Sequence, residues 1–204
     1  MNINAKRQNT RKIQAEERRL QILDVALKVF ADKGFQGTSI KDIARAAGIS
    51  QGLMYHYFAS KETLLEATIE YHGFLPQLRQ ILKDNKERPI KEVITEIAGN
   101  FLTLLDSKGN LVKLLVSEIQ FNQEVRNAWA GICREGSSLL QEYLEAYIEK
   151  GELRRHNTEV TARIVFNMIF MYHFTEDVFK SSKLTRQEFI NEALATILRG
   201  AGGI

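Results

Sequence analysis

The chain has one cysteine and two prolines in 204 residues. A lone thiol, Cys133, cannot close an internal disulfide. That excludes a disulfide-stapled scaffold and fits a reducing, cytoplasmic setting. So little proline leaves long helices uninterrupted. The apolar stretch 164–174 is broken by Asn167 and His173 and is too short to span a bilayer. The N-terminus is polar and basic, without an apolar signal segment, so no membrane partner is expected. The four histidines, at 56, 72, 156 and 173, show no H-x-x-x-H or H-E-x-x-H spacing. P-loop, dinucleotide-binding and E-x-x-H patterns are absent as well. The expectation is a protein that is not an enzyme and holds no metal or cofactor. Period-2 alternation is missing too, which argues against strands.

Charge is present but unevenly spread. The formal net charge is +3, yet residues 1–61 carry 11 Lys/Arg against 5 Asp/Glu, and residues 62–204 carry 17 against 20. A basic first third on an acidic remainder suits a polyanionic partner, although a merely solvated face gives the same count.

Helical periodicity organises the rest. Leu23, Ala26, Leu27 and Phe30 fall at i, i+3, i+4 and i+7 within a helix over 15–33, and Gly34 is a suitable stop. Ser39 with Asp42 forms a capping-box pattern for a helix buried through Ile40, Ile43, Ala44 and Ala47. Gly48 ends it and Ser50 caps the next, with Leu53, Met54, Tyr57 and Phe58 at helical spacing. Ser60 caps a fourth helix, which Pro76 kinks or ends. Further helices are predicted from Pro89 to about 106, from Gly109 to about 121, from Asn122 to 150, over 159–180, and from the Thr185–Glu188 capping box to 199, before a fraying Gly200–Gly203 tail. The class is all-α with about nine helices.

Two short helices across Ala47-Gly48-Ile49-Ser50, inside the basic third, have the shape of a helix-turn-helix. A reading helix needs small or polar residues at its start, and Ser50-Gln51-Gly52 supplies them. Gln51 can make a bidentate contact to adenine, and Leu53 can touch a thymine methyl. Gly52 costs about 1 kcal/mol of helix propensity, which makes sense if something must approach it closely. Tyr55, His56 and Tyr57 have polar tips within reach of phosphates, though Tyr57 is apolar enough to be core. Thr38 and Ser39 lie at a helix start suited to a phosphate, and Lys61 is a point charge at the next one. Arg7 and Arg11, in the basic arm, are candidates for a minor groove.

Residues 20–65 resemble the N-terminal domain of the TetR family of bacterial transcriptional repressors. The matching elements are Ile22-Leu23-x-x-Ala26-x-x-x-Phe30, Gly34, Thr38-Ser39-Ile40, Ile43-Ala44, Ala47-Gly48-Ile49-Ser50, Gly52, Tyr55-x-Tyr57-Phe58 and Ser60-Lys61-Glu62-x-Leu64. The resemblance implies an N-terminal three-helix DNA-binding domain, with Tyr55 and Lys61 on phosphates and positions 51–53 reading bases. It implies the division 1–14 flexible basic arm, 15–62 DNA-binding domain and 63–204 ligand-binding and dimerisation domain. It also implies a homodimer on a palindromic operator in double-stranded DNA, released by a small, largely apolar effector. The apolar stripe of the last helix and the apolar 164–174 segment fit a dimer interface through Val165, Ile169, Phe189, Ile190, Ala193, Leu194, Ile197 and Leu198, or alternatively the centre of a monomeric bundle. Asn100, Phe101, Leu104, Phe121, Trp129, Asn167, Met168, Tyr172 and His173 are the candidate effector pocket. Of these, Asn167 and His173 are the polar groups whose burial would require a partner, either ligand or backbone. Gly73 and Pro76 offer an articulation for a tilt of helix 61–75 on ligand binding. The other classes open to the sequence are a helical interaction module and a small helical enzyme.

Overall fold

The computed structural model describes residues 3–176 and 184–201. These form ten helices and their connecting turns: α1 (Ile3–Lys33), α2 (Ile40–Ala46), α3 (Gln51–Tyr57), α4 (Lys61–His72), α5 (Leu75–Asp84), α6 (Ile90–Ser107), α7 (Gly109–Glu118), α8 (Gln123–Glu149), α9 (Thr158–Thr175) and α10 (Arg186–Ala201). The extra helix arises at Pro76. It sits in the first turn of α5, where its missing N–H is not needed, and therefore starts a helix instead of kinking one. α4 ends at His72. The expected arm is also helical from Ile3 onward, because nothing between Ile3 and Lys33 is glycine or proline. The expected continuation of α9 to residue 180 and the tail at 202–203 lie outside the described residues.

Helix termini follow local chemistry. Gly34 and Gly48 have φ of +71° and +64°, a region that costs a side-chain-bearing residue strain. Ser39 and Asp42 complete a reciprocal capping box. Asn122 and Asn157 accept from Val125 N and Val160 N at 3.2 and 3.0 Å, and Thr185 N donates to Glu188 at 2.7 Å.

The chain divides into two compact units. The first holds residues 1–72 and 110–130, the second 73–109 and 131–204. α4, expected to open the second domain from residue 63, is grouped with the first unit. Leu64, Leu65, Thr68, Ile69 and His72 of α4 are buried, and α4 packs against α1. The core of this unit is Ile22, Leu23, Ala26, Phe30, Phe35, Ile43, Met54, Phe58, Leu64, Leu65 and Ile69. Each of these side chains larger than Ala26 contributes about 1.5–3 kcal/mol by leaving water. Buried Leu111, Leu114 and Leu115 of α7 and Val125 of α8 complete it. Lys113 pairs with Asp32 at 3.8 Å, and the Glu118 carboxylate occupies the space a Gly34 Cβ would need.

In the second unit α6 packs on α9 and α10, and Val93, Ile94, Ile97, Ala98, Phe101, Val165, Ile169, Ile190 and Leu194 are buried. Phe101 stacks on Phe74 at 4.9 Å and meets Phe166 edge-on at 5.9 Å. Tyr143 and Tyr147 donate to the carbonyls of Asn85 and Arg88, so the α5–α6 turn has its backbone acceptors satisfied from α8.

Candidate nucleic-acid interface

α2, the turn at Ala47–Ser50 and α3 form the motif. Ser39 Oγ donates to Asp42 at 2.6 Å and accepts from Asp42 N at 3.1 Å, while Ser39 N donates back to the carboxylate at 3.1 Å. Lys33 and Arg45 pair with the same carboxylate at 3.3 and 2.8 Å. These bonds, those of Ser39 foremost, lower the Asp42 pKa from 3.8 to about 2. The folded state thus holds this proton less tightly than the unfolded chain. The stabilisation is complete above the unfolded value of 3.8 and is lost as pH falls through about 2. Wild type and Asp42→Asn are expected to differ in unfolding midpoint at pH 5 and to converge by pH 2. Acid titration followed by circular dichroism checks this; a constant difference across that window would refute it.

Gly48 lets the chain turn, Ile49 N reaches Ala44 O at 3.0 Å, and Ser50 caps α3 through Leu53 N at 3.1 Å. Within α3 only Met54 is fully buried. Gln51, Gly52, Leu53, Tyr55 and His56 are exposed, Tyr55 at 51%. Tyr57 is half-buried against the His56 ring edge. A Cβ on Gly52 would meet nothing within 4 Å, so packing within the chain does not require glycine there.

Two predicted contacts are differently employed. Thr38 is buried, and its hydroxyl donates to Gly34 O at 2.7 Å; it closes the α1–α2 turn and is not offered to a phosphate. Lys61 Nζ donates to Phe35 O and Thr38 O at 2.9 and 3.0 Å and lies 4.2 Å from the Phe35 ring centroid. The ammonium is a staple for that turn, with one of three N–H donors left over. Sequence spacing shows that position 61 opens a helix. It does not show that residues 35–38 fold back to meet it.

The predicted effector residues are divided between the two units. Phe121 is 88% exposed, because the α7–α8 turn carries it outward. Phe121 and Trp129 belong to the first unit, and the other members to the second. Asn167 is exposed. Asn100 is satisfied by Gln77 at 2.8 Å and Glu96 O at 2.9 Å. Tyr172 stacks on Phe189 at 4.4 Å, and His173 Nδ1 lies 3.2 Å from Asp106. Leu104 and Met168 are half-buried, and Phe101 lies in the aromatic cluster described above. The second unit does have a groove of about 540 Å³ between α5 and α8, floored by Leu82, Leu139, Tyr143 and Ala146 and rimmed by Lys83 and Lys86.

The predicted dimer set is also sorted by packing. Val165, Ile169, Ile190 and Leu194 are buried within the single chain, in helices that pack on α6. Phe189, Ala193, Ile197 and Leu198 keep partial exposure. The exposed apolar residues of α9 are instead Val160, Ile164, Met171 and Phe174, which with exposed Asn167 repeat at spacings of 4, 3, 4 and 3. Periodicity missed this stripe because a helix apolar on nearly every side gives no preferred direction.

The fold and site define a helix-turn-helix protein. Residues 22–68 match the family model of bacterial regulatory proteins of the tetR family, and residues 92–200 match that of the AefR-like transcriptional repressor C-terminal domain. The chain belongs to the TetR family. Its relatives are transcriptional regulators, not enzymes. The HTH-type regulator YerO of Bacillus subtilis is 34% identical over 132 residues, 63% of this chain and 46% of that protein. The repressor KstR2 of Rhodococcus jostii is 28% identical over 58% of this chain and 65% of its own length. The chain thus spans about half to two thirds of these relatives. Bacillus subtilis FadR, solved with stearoyl-CoA, superposes with a TM-score of 0.68 at 25% identity, over 89% of this chain and 98% of that one. Among the described residues no helix is long and apolar enough to cross a membrane.

Proposed function

We propose that the chain is a sequence-specific DNA-binding transcriptional regulator, a homodimeric repressor released from a palindromic operator by a small, largely apolar ligand. The observation that carries this is α3. It is a seven-residue helix with only Met54 fully buried. It opens on Ser50-Gln51-Gly52, and none of the described residues fills the space beside Gly52. A helix that surrenders so much surface and a favourable residue is built for the close approach of a groove. Ser39, Ser50, Gln51, Gly52, Leu53, Tyr55 and His56 form the contact surface, with Tyr57 at its edge and Lys61 holding the turn behind it.

Gln51→Ala is expected to relax preference at one base pair by about 1–3 kcal/mol while leaving the salt dependence unchanged. Gel shifts on duplexes enriched from a randomised pool, at several salt concentrations, check both quantities. A uniform loss across sequences would refute the base-reading role.

Dimerisation uses the exposed α9 stripe with the partly exposed residues of α10. One polar residue in an apolar seam can fix register, a role that suits Asn167. The effector unit is the second unit. Support for an effector with a long apolar part comes from FadR, which was solved with stearoyl-CoA. Stearoyl-CoA is therefore the first probe to titrate against the protein–DNA complex. Release of DNA supports this class of effector, whereas tight binding with unchanged DNA affinity refutes the release mechanism.

A further inference from the structure

α1 continues beyond the core of its unit. Residues 8–18 are all exposed, and Arg19 is the first half-buried position. Counting from Gln8 to Arg18, about 16 Å of exposed helix precedes the core, which begins at Ile22. An unsupported helix of this length is marginal in water. Residues 8–18 hold a single large apolar side chain, Ile13, and it is exposed; no apolar face is offered to another protein surface.

Charge is sorted along the extension. Lys6, Arg7, Arg11 and Lys12 occupy the first 12 residues without an acidic neighbour, while Glu16 and Glu17 come closer to the core. Arg11 and Lys12, both on the exposed stretch of this helix, suit a polyanion. The exit point identifies which one. The Arg19 guanidinium lies 5.4 Å from the Phe58 ring centroid, and Phe58 is the C-cap of α3. The extension therefore leaves the unit beside the reading helix, with Arg11 about 12 Å further along the axis.

We propose that the N-terminal extension of α1 lays Arg11 and Lys12 on backbone phosphates of duplex DNA flanking the half-site that α3 reads. The inference rests on the DNA-reading function above. It also replaces the minor-groove arm expected from the sequence: a helix 10–12 Å across does not enter a groove about 6 Å wide. Contacts from outside the groove add affinity and salt dependence without sequence preference.

The test uses the full chain and a duplex that it enriches from a randomised pool, prepared at core length and with about one helical turn of extra DNA on each side. Arg11→Gln with Lys12→Gln keeps good helix formers and touches no core residue. On the extended duplex the slope of log affinity against log salt is expected to flatten by about two per protomer, with base preference intact. On the core duplex wild type and variant should coincide. Equal slopes on the extended duplex overturn the proposal, as does an equal loss on both duplexes. Loss of binding to phosphatidylglycerol vesicles with unchanged DNA slopes would assign the extension to a lipid surface, and also overturns it. Failure to enrich any duplex would sink the DNA-reading function itself, a separate outcome.

Discussion

Ile164→Glu combined with Met171→Glu is expected to yield a folded monomer that has lost a hundredfold or more in affinity for a two-half-site duplex. Ile164 and Met171 are 45% and 59% exposed in the single chain, so the substitutions remove little of its own core. In a dimer seamed by Val160, Ile164, Asn167, Met171 and Phe174, each copy would bury two carboxylates without partners. Such burial costs several kcal/mol per charge after relaxation. Losing the tether then converts the second half-site from an intramolecular to a separate event, and avidity effects of this kind amount to about 10²–10⁴. Sedimentation analysis reads the mass, circular dichroism the fold, and a gel shift the affinity. A variant that stays dimeric removes α9 from the interface. One that unfolds shows that the stripe belongs to the monomer's core.

Lys61→Ala carries the second large effect, and it is an effect on stability. The alanine removes two charge-assisted hydrogen bonds and leaves the carbonyls of Phe35 and Thr38 without their shared donor. The expected destabilisation is about 2–4 kcal/mol, seen as a lower denaturant midpoint. DNA binding falls with it, because the stapled turn leads directly into Ser39 and α2. The salt slope should change by no more than about one per protomer, from the single donor left over. Unchanged stability with a flattened slope would restore the phosphate-anchor reading of Lys61.

Much of the site was legible because its signals are local. A capping serine, an aspartate three residues on, and a glycine where φ turns positive act within one or two helical turns. Ser39–Asp42, Gly48 and Ser50 therefore stand where spacing puts them. The helix count missed by one for a local reason as well: proline suits both the end of one helix and the start of the next, and Pro76 starts one. The positions of Thr38 and Lys61 are of another kind. Each group is polar, lies at a helix start and has the chemistry of a phosphate ligand; its hydrogen-bond partners come from backbone that only the folded chain brings near.

The same contrast separates what each level determined. Sequence alone determined the all-helical class, the helix-turn-helix and the residues on the outer face of α3, because periodicity and capping are properties of a few consecutive residues. Tertiary structure alone decided that Val165 and Leu194 are core while Ile164 and Met171 are surface, that α7 joins the DNA-reading unit, and that Lys61 is a staple. Each of these depends on which side of a helix meets a neighbour distant in the chain. A helix as uniformly apolar as α9 does not encode that direction in its own residues.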